Sequence, residues 1–273
     1  MAAGLSWAPD AAAETLVEAL SQAYQTSPTL AAQRARLRAT DEQMPQALAG
    51  YRPDVRVTGD AGVEYQDTDR SDSDGRTPAA AALAVVQPLY RGGRTTADVA
   101  RAANVIQSER ARLFSVEQVV LLDGVTVYMD VVRDLAVLDL ARNNEQVITR
   151  QLEATRDRFD VGEVTRTDVA QAEARLASAL ADRVRAEGDL VASRAAYRRV
   201  VGSDPGTLES PAPLADLPET EAAALEIALV EHPDVIAATF VEKAAQDDVR
   251  IAEGVLLPEV NLRASVERGY DQG

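Results

Sequence analysis

The sequence contains no cysteine. Disulfides, thiolate metal sites and cysteine nucleophiles are therefore excluded. A single histidine, His232, rules out a histidine metal cluster and argues against a Ser-His-Asp triad. Lysine occurs once, at Lys243, and no Gly-rich loop ending in Lys-Ser/Thr is present to hold a nucleotide phosphate. Aromatic residues make up only 4% of the 273 residues, a thin supply for an ordinary globular core. Positive charge is short as well. The 28 bases face 44 acids, and a net charge of −16 opposes binding to nucleic acid. No run of about 18 apolar residues exists to form a transmembrane helix. A membrane β-barrel stays open, because its strands are short and alternating. Met1 to Pro9 has neither a basic region nor an apolar core and is not read as a secretory leader.

What the chain does have is alanine, arginine and a repeat. Residues 19–65 match residues 224–270 without a gap. Pro28 falls on Pro233, Pro53 on Pro258, Val55 on Val260 and Tyr65 on Tyr270, and Leu20, Ala23, Ala32, Ala39 and Ala47 also recur. The order of signals recurs too: helix, Ser-Pro or His-Pro turn, second helix, proline, alternating strand. Residues 1–218 are accordingly read as a first structural repeat, and residues 219–273 as the start of a second, with its helix and first strand only. The sequence ends at Gly273 inside a strand pattern, so a longer parent chain is expected.

Within the first repeat, helices are expected over 12–49, interrupted before Pro28 and kinked at Pro45. A strand is expected over 54–65. Val55, Val57, Ala61, Val63 and Tyr65 face one way, and Asp54, Arg56, Thr58, Asp60 and Glu64 the other. That division suits a barrel wall with lipid on one side and water on the other, with Asp54, Asp60 and Glu64 as pore-lining candidates that favour cations. An amphipathic strand of a soluble sheet explains it equally well. Residues 66–77 read as a polar loop, and 78–90 as a second strand. The aspartates of the loop are not in calcium-loop register.

A helical hairpin is expected over 94–201. Val99, Ile106, Leu113, Val120 and Val127 recur every seven residues, the mark of a coiled-coil seam. Val116–Val132 is apolar enough to be buried on more than one side. Gly162 suits the left-handed residue after a helix end. Thr165 or Thr167 can cap the next helix, with Asp168 in its first turn. Leu176, Leu180, Val184 and Leu190 are that helix's larger apolar residues, among many alanines. Residues 202–218 form a Pro/Gly-rich linker.

Four segments carry a family resemblance: AYQTSPTLAAQRARLRATDEQMPQALAGYRPDV (23–55), QPLYRGGRTTADV (87–99), RFDVGEVTRTDVAQAEARL (158–176) and the duplicated HPDVIAA…LLPEVNL. The second and third are the specific ones. The chain resembles outer-membrane efflux proteins of the TolC family, most of all the type I secretion branch. The resemblance implies a mainly α fold with membrane β-strands. A long antiparallel coiled-coil hairpin and a strand pair would contribute to a trimeric β-barrel/α-barrel channel in the outer membrane of a Gram-negative bacterium, with its helical tunnel in the periplasm. Gln87, Pro88, Leu89, Tyr90, Gly92, Gly93 and Arg94 would be the strand-to-helix motif. Thr167 and Asp168 would be the periplasmic constriction. Val161, Gly162, Glu163, Val164, Thr165 and Arg166 would form the tip that meets a periplasmic adaptor protein. The implied partners are two further copies of the chain, that adaptor, an inner-membrane ABC or RND-type transporter and outer-membrane lipid. No catalytic residue, metal, cofactor or nucleic acid is implied. The alternative is a coiled-coil scaffold or adaptor-like structural protein. Asp168 reads equally as a plain helix N-terminal acid.

Overall fold

The computed structural model describes residues 13–68, 71–213, 215 and 217–272, with the backbone alone for 64–68, 71–76, 271 and 272. The elements in chain order are α1 (Leu16–Thr26), α2 (Pro28–Asp41), α3 (Gln43–Ala49), β1 (Asp54–Ala61), β2 (Glu64–Thr68), β3 (Ser71–Arg91), α4 (Arg94–Asp160), α5 (Arg166–Val201), α6 (Glu221–Glu231), α7 (Pro233–Gly254) and β4 (Glu259–Gln272). Shifted by the repeat offset, α1 falls on α6, α2 with α3 falls on α7, and β1 falls on the start of β4. Two compact units form, Met1–Gln33 with Phe114–Ala224 and Arg34–Leu113 with Leu225–Gly273.

The first unit is built on the hairpin. On α4 the buried Val120, Val127, Val131, Leu138 and Leu152 lie on one heptad seam, which carries on from the buried Ile106. On α5 the small residues Ala172, Ala179, Ala186 and Ser193 are buried every seventh position, with Leu190 and Tyr197 on the same seam. Small residues let helix backbones approach closely, and bulk returns only toward Tyr197 and Val201. Leu180 and Val184 fall off the seam and are exposed. Val119 and Leu122, expected to be covered, are also exposed. Beside α5, α1 reaches this stretch, through Leu20 against Gly124, with Ala19 and Ala23 in the shared core.

A clasp closes the wide end of the hairpin. Glu14 pairs with the linker, its N–H donating to the Thr207 carbonyl at 2.7 Å and its carbonyl accepting from the Glu209 N–H at 3.1 Å. The buried Tyr128 of α4 places its hydroxyl 2.9 Å from the Glu14 carbonyl and 2.6 Å from that of Glu209. Tyr197 of α5 donates to the Glu14 carboxylate at 2.7 Å. Two tyrosines from opposite helices thus hold the segment before α1 and the linker after α5 together.

The second unit holds the sheet. β3 is central, antiparallel to β1 on one side and to β4 on the other, and β2 pairs with its start. The interruption between β1 and β2 at Gly62 and Val63 lies opposite Thr77 and Pro78, where the ladder meets a proline with no N–H to give. Of the polar stretch 66–77, expected as a loop, residues 66–68 instead end β2 and residues 71–77 begin β3, because cross-strand pairing overrides weak local strand preference; residues 69 and 70 lie outside the described residues. The helix break falls at Glu42 rather than at Pro45. Pro45 lies in the first turn of α3, where its missing N–H costs nothing. The near end of α4 is keyed to its neighbours by buried polar groups. Asn104 donates to the buried Asp247 of α7 at 2.8 Å, and the buried Glu109 lies 3.6 Å from Arg36 of α2.

Replacing Tyr197 with Phe removes one clasp bond without changing core shape. The expected loss is about 1 kcal/mol in urea unfolding, with the linker cut earlier by protease. Unchanged unfolding and cleavage would show that the clasp contributes nothing.

Candidate functional site

The sheet divides its two faces by chemistry. Residues directly opposite in an antiparallel pair share a face. Val57 pairs with Leu83 and Leu83 with Val266, while Val55, Val85 and Leu262 extend the same apolar face. Thr58 pairs with Ala82 and Ala82 with Glu267; Asp54, Arg56, Asp60, Arg263 and Ser265 share this polar face. Both faces are exposed, Val57 at 75% and Val266 at 72% on the apolar one, and Thr58 and Glu267 on the polar one. Of the three pore-lining candidates, Asp54 and Asp60 lie together on the polar face of β1. The Glu64 side chain lies outside the described residues. Arg263 and Glu267 are additions that alternation through 259–269 could have identified. The alanines at 80, 82 and 84 leave the middle of the charged face without bulk.

The strand-to-helix motif forms a corner. Gln87 donates through Nε2 to the Tyr51 carbonyl at 3.0 Å. A bulge between Pro88 and Tyr90 inserts Leu89 without a partner, so Tyr90 pairs with Val260. That shift moves Tyr90 onto the apolar face and Arg91, paired with Glu259, onto the polar one. Gly92 and Gly93 then turn the chain with φ of 62° and 76°. A Cβ on Gly92 would lie 2.3 Å from the Gly254 carbonyl, so the close approach of α7 also requires glycine there. Arg94 opens α4 and donates to the Arg91 carbonyl at 3.0 Å and to the Glu259 carboxylate at 2.7 Å.

The hairpin tip is a tight turn. The Gly162 N–H donates to the Phe159 carbonyl and the Glu163 N–H to the Arg158 carbonyl, both at 2.9 Å, with Gly162 at φ 78°. Val161 is 72% exposed, and Glu163, Thr165, Arg166 and Thr167 are exposed beside a half-buried Val164. Thr165, not Thr167, caps α5. Its hydroxyl accepts from the Asp168 N–H, while one Asp168 oxygen, Oδ2, accepts from the Thr165 N–H and hydroxyl, both at 2.8 Å. These bonds hold the Asp168 carboxyl below its usual range, aided by Arg158. Among the described residues the other oxygen, Oδ1, carries no bond. Arg156 bridges α4 to Glu173 of α5 at 2.7 Å just behind the tip. His232 serves as a helix cap, Nδ1 accepting from the Asp234 N–H at 3.2 Å.

A lowered carboxylate pKa contributes stability that is present above the unfolded value and lost as pH falls through the folded value. Amide protection in the first turn of α5, taken relative to intrinsic exchange at each pH, is therefore expected to hold steady on acidification until the pH drops below the usual aspartate range of about 4. Thr165→Ala is expected to lower that protection already at neutral pH, with a loss of about 1 kcal/mol. Identical profiles for both proteins would remove the capping box.

The family model of the outer membrane efflux protein matches residues 19–203. The outer membrane efflux protein BepC of Brucella suis is 36% identical over 268 residues, covering 96% of this chain and 58% of that protein. The outer membrane protein TolC of Vibrio cholerae is 28% identical, covering 96% of this chain and 59% of that protein. Among solved structures, the outer membrane protein VceC of Vibrio cholerae superposes with a TM-score of 0.78 at 22% identity, over 94% of this chain and 62% of that one. The chain thus spans somewhat under two thirds of the relatives it matches. With a family match over most of its length and the same fold in the solved structure, the chain belongs to the outer membrane efflux protein family, a family of outer-membrane proteins and not of enzymes.

Proposed function

We propose that this chain is part of the subunit of a passive trimeric channel, the outer-membrane component of a tripartite efflux or type I secretion system. The observation that carries the reading is the sheet, apolar on one face and charged on the other, with both outer edges open. In lipid every backbone N–H and C=O must be paired, so strands that cross a bilayer close into a barrel. The outer edges of β1 and β4 have no partner strand among the described residues. Edges that differ from each other pair head to tail and generate a ring, which fits a cyclic trimer. The exposed stripe of α4, with Val119 and Leu122 and then Val137 and Leu140, supports lateral packing against further helices.

In this reading the polar sheet face lines the pore, and Asp54, Asp60, Arg263 and Glu267 set its charge. The tip, Val161 to Arg166, docks a periplasmic adaptor, and an inner-membrane transporter of the ABC or RND type supplies the energy. The absence of a phosphate-binding loop supports that division of labour. Thr167 and Asp168 form the constriction. The capping role of Asp168 does not compete with gating, because Oδ2 holds the cap and Oδ1 is left for a cation on a neighbouring helix. The cargo is a protein or a small toxic solute.

Single-channel recording on the full-length protein in planar bilayers tests this. The wild type is expected to conduct in small steps, and Asp168→Ala in larger ones. Unchanged conductance in the variant would remove the gate, and absence of channels in both would remove the conduit.

A further inference from the structure

We infer that the strand-to-helix corner seats a phospholipid of the periplasm-facing leaflet, its headgroup in a cavity beside Tyr51 and its chains along Leu89, Tyr90 and the apolar sheet face. The inference rests on the outer-membrane channel reading. A cavity of about 210 Å³ opens at this corner, lined by Tyr51, Pro88, Leu89, Tyr90, Thr95 and Thr96 among others. Its walls are of two kinds. The Tyr51 and Thr96 hydroxyls lie 2.9 Å apart and supply polar groups. Leu89 is 63% exposed and Tyr90 48% exposed.

The bulge makes the cavity continuous with the apolar face. Without the extra residue Leu89, Tyr90 would point to the polar side. The second repeat places a large residue at the equivalent of Tyr51 too: Leu256 is 87% exposed. Charge fits an anionic headgroup. Arg91, which lines the cavity, and Arg94 share the one carboxylate of Glu259, at 3.6 and 2.7 Å, a local positive excess in a chain of net charge −16.

The height of the apolar face fits a bilayer. At its far end Tyr270 lies on the same face, opposite Ala79, with Arg268 donating to its hydroxyl at 3.0 Å. Between the Tyr90 and Tyr270 levels run roughly ten strand steps of about 3.3 Å. At a tilt of about 40° they span roughly 25 Å, the height of an apolar band between aromatic girdles. The corner therefore lies where headgroups begin.

The test is native mass spectrometry of the full-length protein, extracted in detergent, delipidated and titrated with phosphatidylglycerol. The wild type is expected to retain phosphatidylglycerol at one site per protomer. Tyr90→Ser is expected to weaken retention at least about fivefold with the trimer mass unchanged, while Tyr270→Ser retains lipid as the wild type does. Should Tyr90→Ser fail to assemble, Leu89→Ser carries the same expectation, since the bulged residue has no cross-strand partner. An excess of inorganic phosphate is expected to leave the lipid in place. Equal retention by wild type and corner variants, or displacement by phosphate, would overturn the lipid seat. Absence of any trimer in the wild-type spectrum would instead overturn the channel reading beneath it.

Discussion

The contact between Gly92 and Gly254 constrains much of the second unit. At this point β3 gives way to α4, and α7 gives way to β4, with two backbones closer than any side chain permits. The Arg94–Glu259 bond closes the same junction from the side. Because the strand-to-helix and helix-to-strand passages are fixed against each other, the register between β3 and β4 is fixed too. A slip of one residue would exchange the two faces of the sheet. The apolar face would then carry Arg263 and Glu267, and neither a lipid face nor a water face would remain.

The hairpin solves a different problem. It must be long, yet its core is thin, with alanine or serine at every seventh position of α5 through Ser193. Bulk is concentrated at one end, where Tyr128 and Tyr197 bind the segment before α1 and the linker after α5. At the other end order is local: a glycine turn, one capping box and one ion pair between the helices. A hairpin anchored at one end and lightly held at the other suits a tip that moves while its base stays fixed, and local opening begins where buried contacts are fewest.

Much of this was legible in the sequence because it is periodic or duplicated. The repeat placed α6, α7 and β4 by analogy with α1 to β1. Alternation placed Asp54 and Asp60 on one face, and the heptads of α4 marked the seam. Gly162 declared its own left-handed turn, whereas the positive φ of Gly92 and Gly93 emerged only with the backbone. What was hidden depended on partners distant in sequence. The bulge at Leu89 exists only in relation to β4. The polar residues 66–68 and 71–77 are strand because they pair, not because of their composition. Thr165 was separated from Thr167 as the cap only by hydrogen-bond geometry. The exposure of Val119 and Leu122 depends on which helices pack against α4, which composition alone does not reveal. The Tyr128–Glu14–Tyr197 clasp had no sequence signal, since its members are scattered over the chain.

The central claim is that one sheet face meets lipid and the other meets water, and the lack of cysteine makes it directly measurable. Single cysteines would be placed in two neighbouring rows of the sheet in the full-length protein, Val57→Cys, Leu83→Cys and Val266→Cys in one, and Thr58→Cys, Ala82→Cys and Glu267→Cys in the other. Each would be exposed to a water-soluble maleimide in proteoliposomes, and then labelled with a fluorophore that brominated lipid quenches. The account expects the second row to react from water and the first to resist it and be quenched by lipid. Equal reaction from water in both rows would contradict it, and would mean a soluble sheet.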